Sequence, residues 1–305
     1  MSRLIPFSLL ASLLLSACSA PTTRPDSTSA SQPGSQPAAA ASVQSTPAPN
    51  DNLNAVAWTQ TAVERDLIYR QTYRMAADEL DAALADPTWE ALPKGERKTP
   101  VADPTRTAVI LDIDETVLDN SPYQARLVIN GTSFNKDTWA EWCREINAAA
   151  IPGALEFTRL AASKGVTVFY LSNRPNDLED VTLANLRKLD FPIADNEQVF
   201  LGKGMTVSGC VEKGSAKSCR RELISRKYRV LLQIGDQLGD LVDEGENTPQ
   251  ARAQAIAPYL DWIGQRWFVL PNPTYGHWEP ALFNNDWSQP EAERRRAKEA
   301  SLRLN

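Results

Sequence analysis

Short apolar runs at 108–111, 166–171, 199–201, 230–234 and 267–270 punctuate the later part of the chain, with stretches of helical character at 154–163, 178–189, 215–226 and 251–263 between them. Continuous apolar strands alternating with amphipathic helices predict an α/β fold, a parallel sheet with helices on both faces. Ahead of these, Val56, Val63, Leu67, Ile68, Met75, Leu80 and Leu84 keep a helical period and stop before Asp86-Pro87. That pattern predicts one long helix or two shorter ones within 52–86. Parallel sheets bind ligands at the carboxyl ends of their strands, so the residues standing there are the candidate chemistry.

The first run passes into Asp112-Ile113-Asp114, whose two carboxylates share a face in extended chain and call for a nearby cation. Alone, such a pair reads by default as a polar strand exit into a turn. The second run ends in Ser172-Asn173-Arg174, offering a hydroxyl, an amide and a guanidinium at the same sheet edge. Next, Lys213-Gly214-Ser215-Ala216-Lys217 opens a predicted helix that Ser215 caps, with Lys217 projecting from its first turn. The fourth run passes into Gly235-Asp236 and on to Asp240, with Gly235 expected to let the chain turn tightly so that Asp236 faces the site. Acid pair, hydroxyl, lysine and acid pair thus arrive in order at neighbouring strand ends.

Composition narrows what this constellation does. The 305 residues carry a formal charge of −6, which argues against a surface built to grip a nucleic-acid polymer. His277 is the single histidine, so sites needing two or more histidines are excluded by counting. Chemistry must run on carboxylates, hydroxyls and lysines.

The N-terminus reads as an address. Residues 1–17 hold Arg3 and an apolar run from Leu4 to Leu15, a short export signal rather than a membrane-spanning helix. Its Leu15-Ser16-Ala17-Cys18 end resembles a bacterial lipobox, which implies lipidation of Cys18 and anchoring to the cell envelope, with Ser19 pointing to the outer membrane. Residues 18–51, rich in Pro, Ser and Ala, are expected to form a disordered tether reaching roughly 30 Å. Residues 52–305 form the folded domain. In an exported chain Cys210 and Cys219, close in sequence and flanking a loop with glycine, make the candidate disulfide and leave Cys143 as a buried free thiol.

The four strand-end motifs resemble those of the haloacid dehalogenase superfamily. Asp112 to Tyr123, Leu171 to Arg174, Gly235 to Asp240 and Leu270 to Trp278 look more specifically like the bacterial lipoprotein acid phosphatases and 5′-nucleotidases called class C. The resemblance implies a Rossmannoid sheet with a small cap near 121–152. It further implies Mg²⁺ held by Asp112, Asp236 and the main-chain carbonyl of Asp114, with Asp240 orienting the metal shell. Asp112 would be the nucleophile and Asp114 the acid and base, while Ser172, Asn173, Arg174 and Lys217 would hold the phosphate. The family's nucleotidase activity suggests that Trp139, Tyr275 and Trp278 stack on the organic part of a phosphomonoester. His277 reads as a rim residue. Two rival readings stay open, a non-catalytic ligand-binding lipoprotein and phosphotransfer to alcohols, as does a homodimer formed through the 53–84 helices.

Overall fold

The computed structural model describes residues 50–305; the expected export signal, Cys18 and almost all of the tether lie outside the described residues. Two helices open the domain, α1 (Leu53–Thr61) and α2 (Val63–Ala85), separated where Ala62 adopts extended backbone at φ −77° and ψ 121°. Glu64 and Asp66 favour the first turn of α2, where the helix dipole is positive, and Pro87 follows its end. Among the described residues, no helix is long and apolar enough to cross a membrane.

The alternating part follows as β1 (Thr107–Leu111), β2 (Leu118–Asp119), α3 (Ser121–Asn130), α4 (Lys136–Arg144), β3 (Ala149–Ala150), α5 (Ala154–Ser163) and β4 (Thr167–Pro175). Then come α6 (Glu179–Lys188), β5 (Phe200–Lys203), α7 (Ser218–Ser225), β6 (Arg229–Gly235), α8 (Leu238–Leu241), α9 (Pro249–Ile256), β7 (Trp267–Val269) and α10 (Glu291–Ala300). Five strands pair in parallel in the order β5-β4-β1-β6-β7. Every residue of β1 and β6 is buried, so the centre of the sheet is covered on both faces, as the unbroken apolar runs predict. Each large aliphatic side chain buried there contributes roughly 1.5–3 kcal/mol.

The insertion after β1 has local stop and start signals. Gly131 ends α3 at φ 60°, and the Asn135 side chain caps α4 by accepting from the backbone N–H groups of Asp137 and Thr138. Strands β2 and β3 pair antiparallel and close the insertion at its base.

Three expectations need correction. Strand β4 continues through Ser172, Asn173 and Arg174 to Pro175, so its alternation buries Ser172 and Arg174 and leaves Asn173 exposed. Helix α7 begins at Ser218, because the chain makes a tight turn from Lys213 to Ala216 with Gly214 at φ 59°; Ser215 does not cap it, and Lys217 stands before its first turn. The stretch expected as one helix to 263 is α9, capped by Thr248, followed by a tighter 3₁₀ segment from Ala257 to Trp262, where Pro258 lacks the donor that an α-helix needs.

Candidate active site

Strand β1 delivers the first acid directly. Past Leu111 the Asp112 N–H still donates to Ile234 O of β6 at 3.0 Å, so Asp112 leaves the sheet beside the place where Gly235 and Asp236 leave it. Carboxylate oxygens of Asp112, Asp236 and Asp240 lie within 4.8 Å of one another. The buried Lys217 ammonium donates to Asp112 Oδ1 and to Leu171 O at 2.6 Å, and stands 2.8 Å from Asp240 Oδ1. Asp236 accepts from Gln237 Nε2 at 2.7 Å and Asn272 Nδ2 at 2.8 Å, which fixes its carboxylate.

Gly235 is required here by space rather than by a turn. Its φ is not positive, and a Cβ at this position would run into the Asp240 side chain, which correctly packs against the bare backbone and accepts from Gln237 N at 2.9 Å.

Three carboxylates face one ammonium, leaving two negative charges uncompensated in a buried site. Burial and the neighbouring Asp240, Asp236 and Asp114 push the Asp112 carboxyl well up despite Lys217. Burial and Asp240 push Asp236 up to about 7 against the hydrogen bonds from Asn272 and Gln237. For Lys217, burial alone would favour the neutral amine, but Asp112 and Asp240 outweigh it and raise its pKa. Burial leads for the two carboxyls and the neighbouring negative charge adds to it, whereas for Lys217 that charge acts against burial and prevails. Hard oxygen donors converging with two charges in excess fit a divalent cation such as Mg²⁺.

Asp114 belongs to a second cluster. Its carboxylate accepts from Arg174 Nε at 2.9 Å and Asn120 Nδ2 at 2.8 Å, lies 2.8 Å from Arg174 NH2, and is 3.5 Å from Ser172 Oγ. Arg174, expected to support the phosphate, pairs with Asp114 and lines the cavity. Its guanidinium is buried, with further donations to Thr182 Oγ1 at 3.1 Å and Asn120 Oδ1 at 3.3 Å. Asn173, expected to support the phosphate, also lines the cavity, donating to Ser215 O at 3.1 Å and accepting from Arg220 at 2.9 Å. Asp240, expected only to orient the metal shell, joins the carboxylate cluster itself.

Asp112, Asp114, Lys217, Asp236 and Asp240 open into a cavity of about 890 Å³. Phe134 and Trp139 line it from the insertion, and Tyr275, His277 and Trp278 from the segment after β7. Trp139 packs edge-on against Tyr123 with ring centres 5.1 Å apart, and the Arg174 guanidinium lies 5.4 Å from its ring. Trp278 is exposed. His277 sits at the rim with Nδ1 2.6 Å from Glu244, whose other oxygen pairs with Arg252. Burial works against the charged Glu244, but these two partners prevail and hold its carboxyl below the usual range.

Glu115, Asn120, Gln237 and Asn272 carry parts of the site that motif reading does not single out. Glu115 is buried at φ 61° and accepts from Asn120 N at 2.7 Å and from the Tyr275 hydroxyl. Burial and the charges of Asp114, Asp236 and Asp119 push its carboxyl well up. From α2, Tyr73 donates to Thr116 O at 2.7 Å and braces this turn. Cys210 and Cys219 form a disulfide, and Cys143 is a buried free thiol.

A parallel α/β sheet with an Asp-x-Asp exit, a buried serine, a buried lysine and an acidic loop on adjoining strand ends is the arrangement of the haloacid dehalogenase superfamily. A model of the family described as HAD superfamily, subfamily IIIB (Acid phosphatase) matches residues 26–278, and the chain belongs to that family. The tungstate-bound Class C acid phosphatase from Bacillus anthracis is 34% identical with a TM-score of 0.71, covering 83% of this chain and 97% of that one. The Stem 31 kDa glycoprotein of Glycine max is 33% identical over 167 residues, 54% of this chain and 58% of that protein. Acid phosphatase 1 of Solanum lycopersicum is 25% identical over 175 residues, 57% of this chain and 61% of that protein. The chain thus spans less than two thirds of the length of these curated relatives.

Proposed function

We infer that this acid phosphatase family member is a Mg²⁺-dependent phosphomonoesterase acting on nucleoside monophosphates and related esters such as nicotinamide mononucleotide. The observation that carries this reading is the convergence of Asp112, Asp236 and Asp240 with the buried Lys217 at the mouth of an aromatic-lined cavity.

Asp112 attacks phosphorus through one carboxylate oxygen, the P–O bond to the alcohol breaks, and an aspartyl-phosphate forms. Asp114, oriented by Arg174 and Asn120, gives its proton to the departing oxygen and then takes one from the water that hydrolyses the intermediate. Lys217 and Ser172 stabilise the transferring oxygens. The carboxylates of Asp112 and Asp236, with Asp240 beside them, would hold Mg²⁺, which supplies charge neutralisation when bound. Tyr275 and Trp139 offer ring surface to a nucleobase or nicotinamide. The lipobox-like Cys18 supports placement on the outer membrane, where such an enzyme releases nucleosides from esters too charged to cross a bilayer.

Relatives named vegetative storage proteins keep a non-catalytic reading in view, but Asp112 and its Lys217 partner support turnover. The test is phosphate release from AMP, nicotinamide mononucleotide and p-nitrophenyl phosphate by a soluble form starting near Asp51, with Mg²⁺ or EDTA, beside Asp112→Asn. Metal-dependent release lost in the variant is expected. No release from any ester by folded protein with Mg²⁺ overturns the reading.

A further inference from the structure

Lys217 is buried to 1% exposure yet belongs to no helix or strand. It ends the segment 204–217, which leaves β5 and runs over the surface until α7 begins. Backbone hydrogen bonds inside that segment are local: Met205 N to Gly202 O, Cys210 N to Val207 O and Ala216 N to Lys213 O. Ser208, Gly209, Val211, Lys213 and Gly214 are exposed. A segment of this kind opens easily, so the place of Lys217 has to be imposed by its surroundings.

Two consecutive residues after Lys217 impose it. Cys219 is buried and bonded to Cys210, so residues 210–219 are a covalently closed loop that contains Lys217. Arg220 is buried as well, and its NH1 donates to Ser172 O at 2.5 Å and Leu201 O at 3.1 Å. Its NH2 donates to Asn173 Oδ1 at 2.9 Å and Ala216 O at 3.0 Å, and its Nε stands 2.8 Å from Glu212. One guanidinium therefore ties the ends of β4 and β5 to Glu212 and Ala216, both inside the disulfide loop.

We propose that the Cys210–Cys219 disulfide, acting with Arg220, is the positioning device for Lys217, so that turnover requires the oxidised pair. The proposal rests on the phosphatase reading above. On reduction the S–S bond breaks and the two sulfurs take two electrons and two protons from a dithiol, which closes to its own disulfide. Glu212 and Ala216 then depend on Arg220 alone, and Lys217 loses its fixed alignment with Asp112. The chain is weakly active with reduced thiols and becomes competent in an oxidising compartment.

The test uses the soluble form starting near Asp51 in a Cys143→Ser background, which leaves only Cys210 and Cys219. Oxidised, dithiothreitol-reduced and reoxidised protein are compared with Cys210→Ser/Cys219→Ser for kcat and KM on p-nitrophenyl phosphate, circular-dichroism melting and amide exchange. Opening the disulfide is expected to lower kcat roughly ten- to a hundredfold, the scale of a small misplacement of a reacting group, with less change in KM. Reoxidation restores kcat, and exchange rises across 204–217 but not in β1 or β6. Arg220→Lys, which keeps the charge and loses the fork, lowers kcat with the disulfide intact.

Unchanged kcat in both opened forms overturns the proposal and leaves the phosphatase reading standing. Global unfolding of the opened forms at the assay temperature also overturns it, since the disulfide then supports the fold rather than the lysine. Absence of turnover in the oxidised protein overturns the phosphatase reading instead. Exchange then decides the positioning claim by itself: a rise confined to 204–217 supports it, and no rise overturns it.

Discussion

Arg174 and Asp114 meet side-on, with the guanidinium Nε 2.9 Å and NH2 2.8 Å from the same carboxylate oxygen, although they are 60 residues apart in sequence. The pair arises because β1 and β4 are neighbours and each contributes a residue just past their shared ladder. Removing one member of a buried pair leaves the other uncompensated, so Arg174→Met should cost about 3–5 kcal/mol in a denaturant titration. Combined with Asp114→Asn, the loss should be much smaller than the sum of the single losses. Strict additivity would show that the two groups do not depend on each other.

Metal binding should be visible without turnover. At a Mg²⁺ concentration a hundredfold above its dissociation constant, the melting transition should reflect about 2.7 kcal/mol of added stability, and Asp236→Asn should shrink that gain. A melt unmoved by Mg²⁺ would remove the carboxylate cluster as its site.

The metal-free protein should also respond to pH in a defined sense. Asp236 is raised from 3.8 to about 7 by burial and Asp240. A carboxyl whose folded pKa lies above its unfolded value favours folding while protonated. Its contribution is present in full below pH 3.8 and is lost as pH rises through about 7. Urea unfolding of EDTA-treated protein from pH 4 to 8 should show this decline against Asp236→Asn, and Mg²⁺ should suppress it.

Ring surface at Tyr275 is expected to act on the organic half of the substrate. Tyr275→Ala should lower kcat/KM for AMP by about 1–3 kcal/mol, roughly five- to 150-fold, and affect p-nitrophenyl phosphate less. Tyr275→Phe keeps the ring and loses the bond to Glu115, so comparing the two variants separates stacking from anchoring.

On the proposed mechanism, water and alcohols would compete for a phosphorylated Asp112. Adding a primary alcohol and following both phosphate and new ester by ³¹P NMR should show free phosphate as the main product. A dominant new ester would recast the protein as a phosphotransferase.

The strands of the sheet were legible because buried parallel strands leave unbroken apolar runs, and 108–111 and 230–234 fall inside β1 and β6. The acids at their ends were legible because strand alternation and topology alone bring Asp112 beside Asp236. The pairing of Arg174 with Asp114 was not legible, because β4 continues past its apolar run and alternation within Ser172-Asn173-Arg174 puts Arg174 on the buried side with Ser172. Glu115, Asn120 and Asn272 leave no periodic signal, since they sit in turns and are held there by side-chain hydrogen bonds. Arg220 was not legible either, because its buried bonds to Ser172, Leu201 and Asn173 join segments that no local pattern encodes.

The pairing of Leu118–Asp119 with Ala149–Ala150 has a consequence for how such enzymes diversify. Both ends of the insertion are pinned in one short antiparallel clasp, supported by Glu115 N to Leu118 O at 2.8 Å and Ile151 N to Val117 O at 3.0 Å. Whatever lies between the pins can lengthen, shorten or be exchanged as a cassette without moving the register of β1. The part of the cavity wall that Phe134 and Trp139 supply is thereby mechanically separate from the strand ends that carry Asp112 and Asp236.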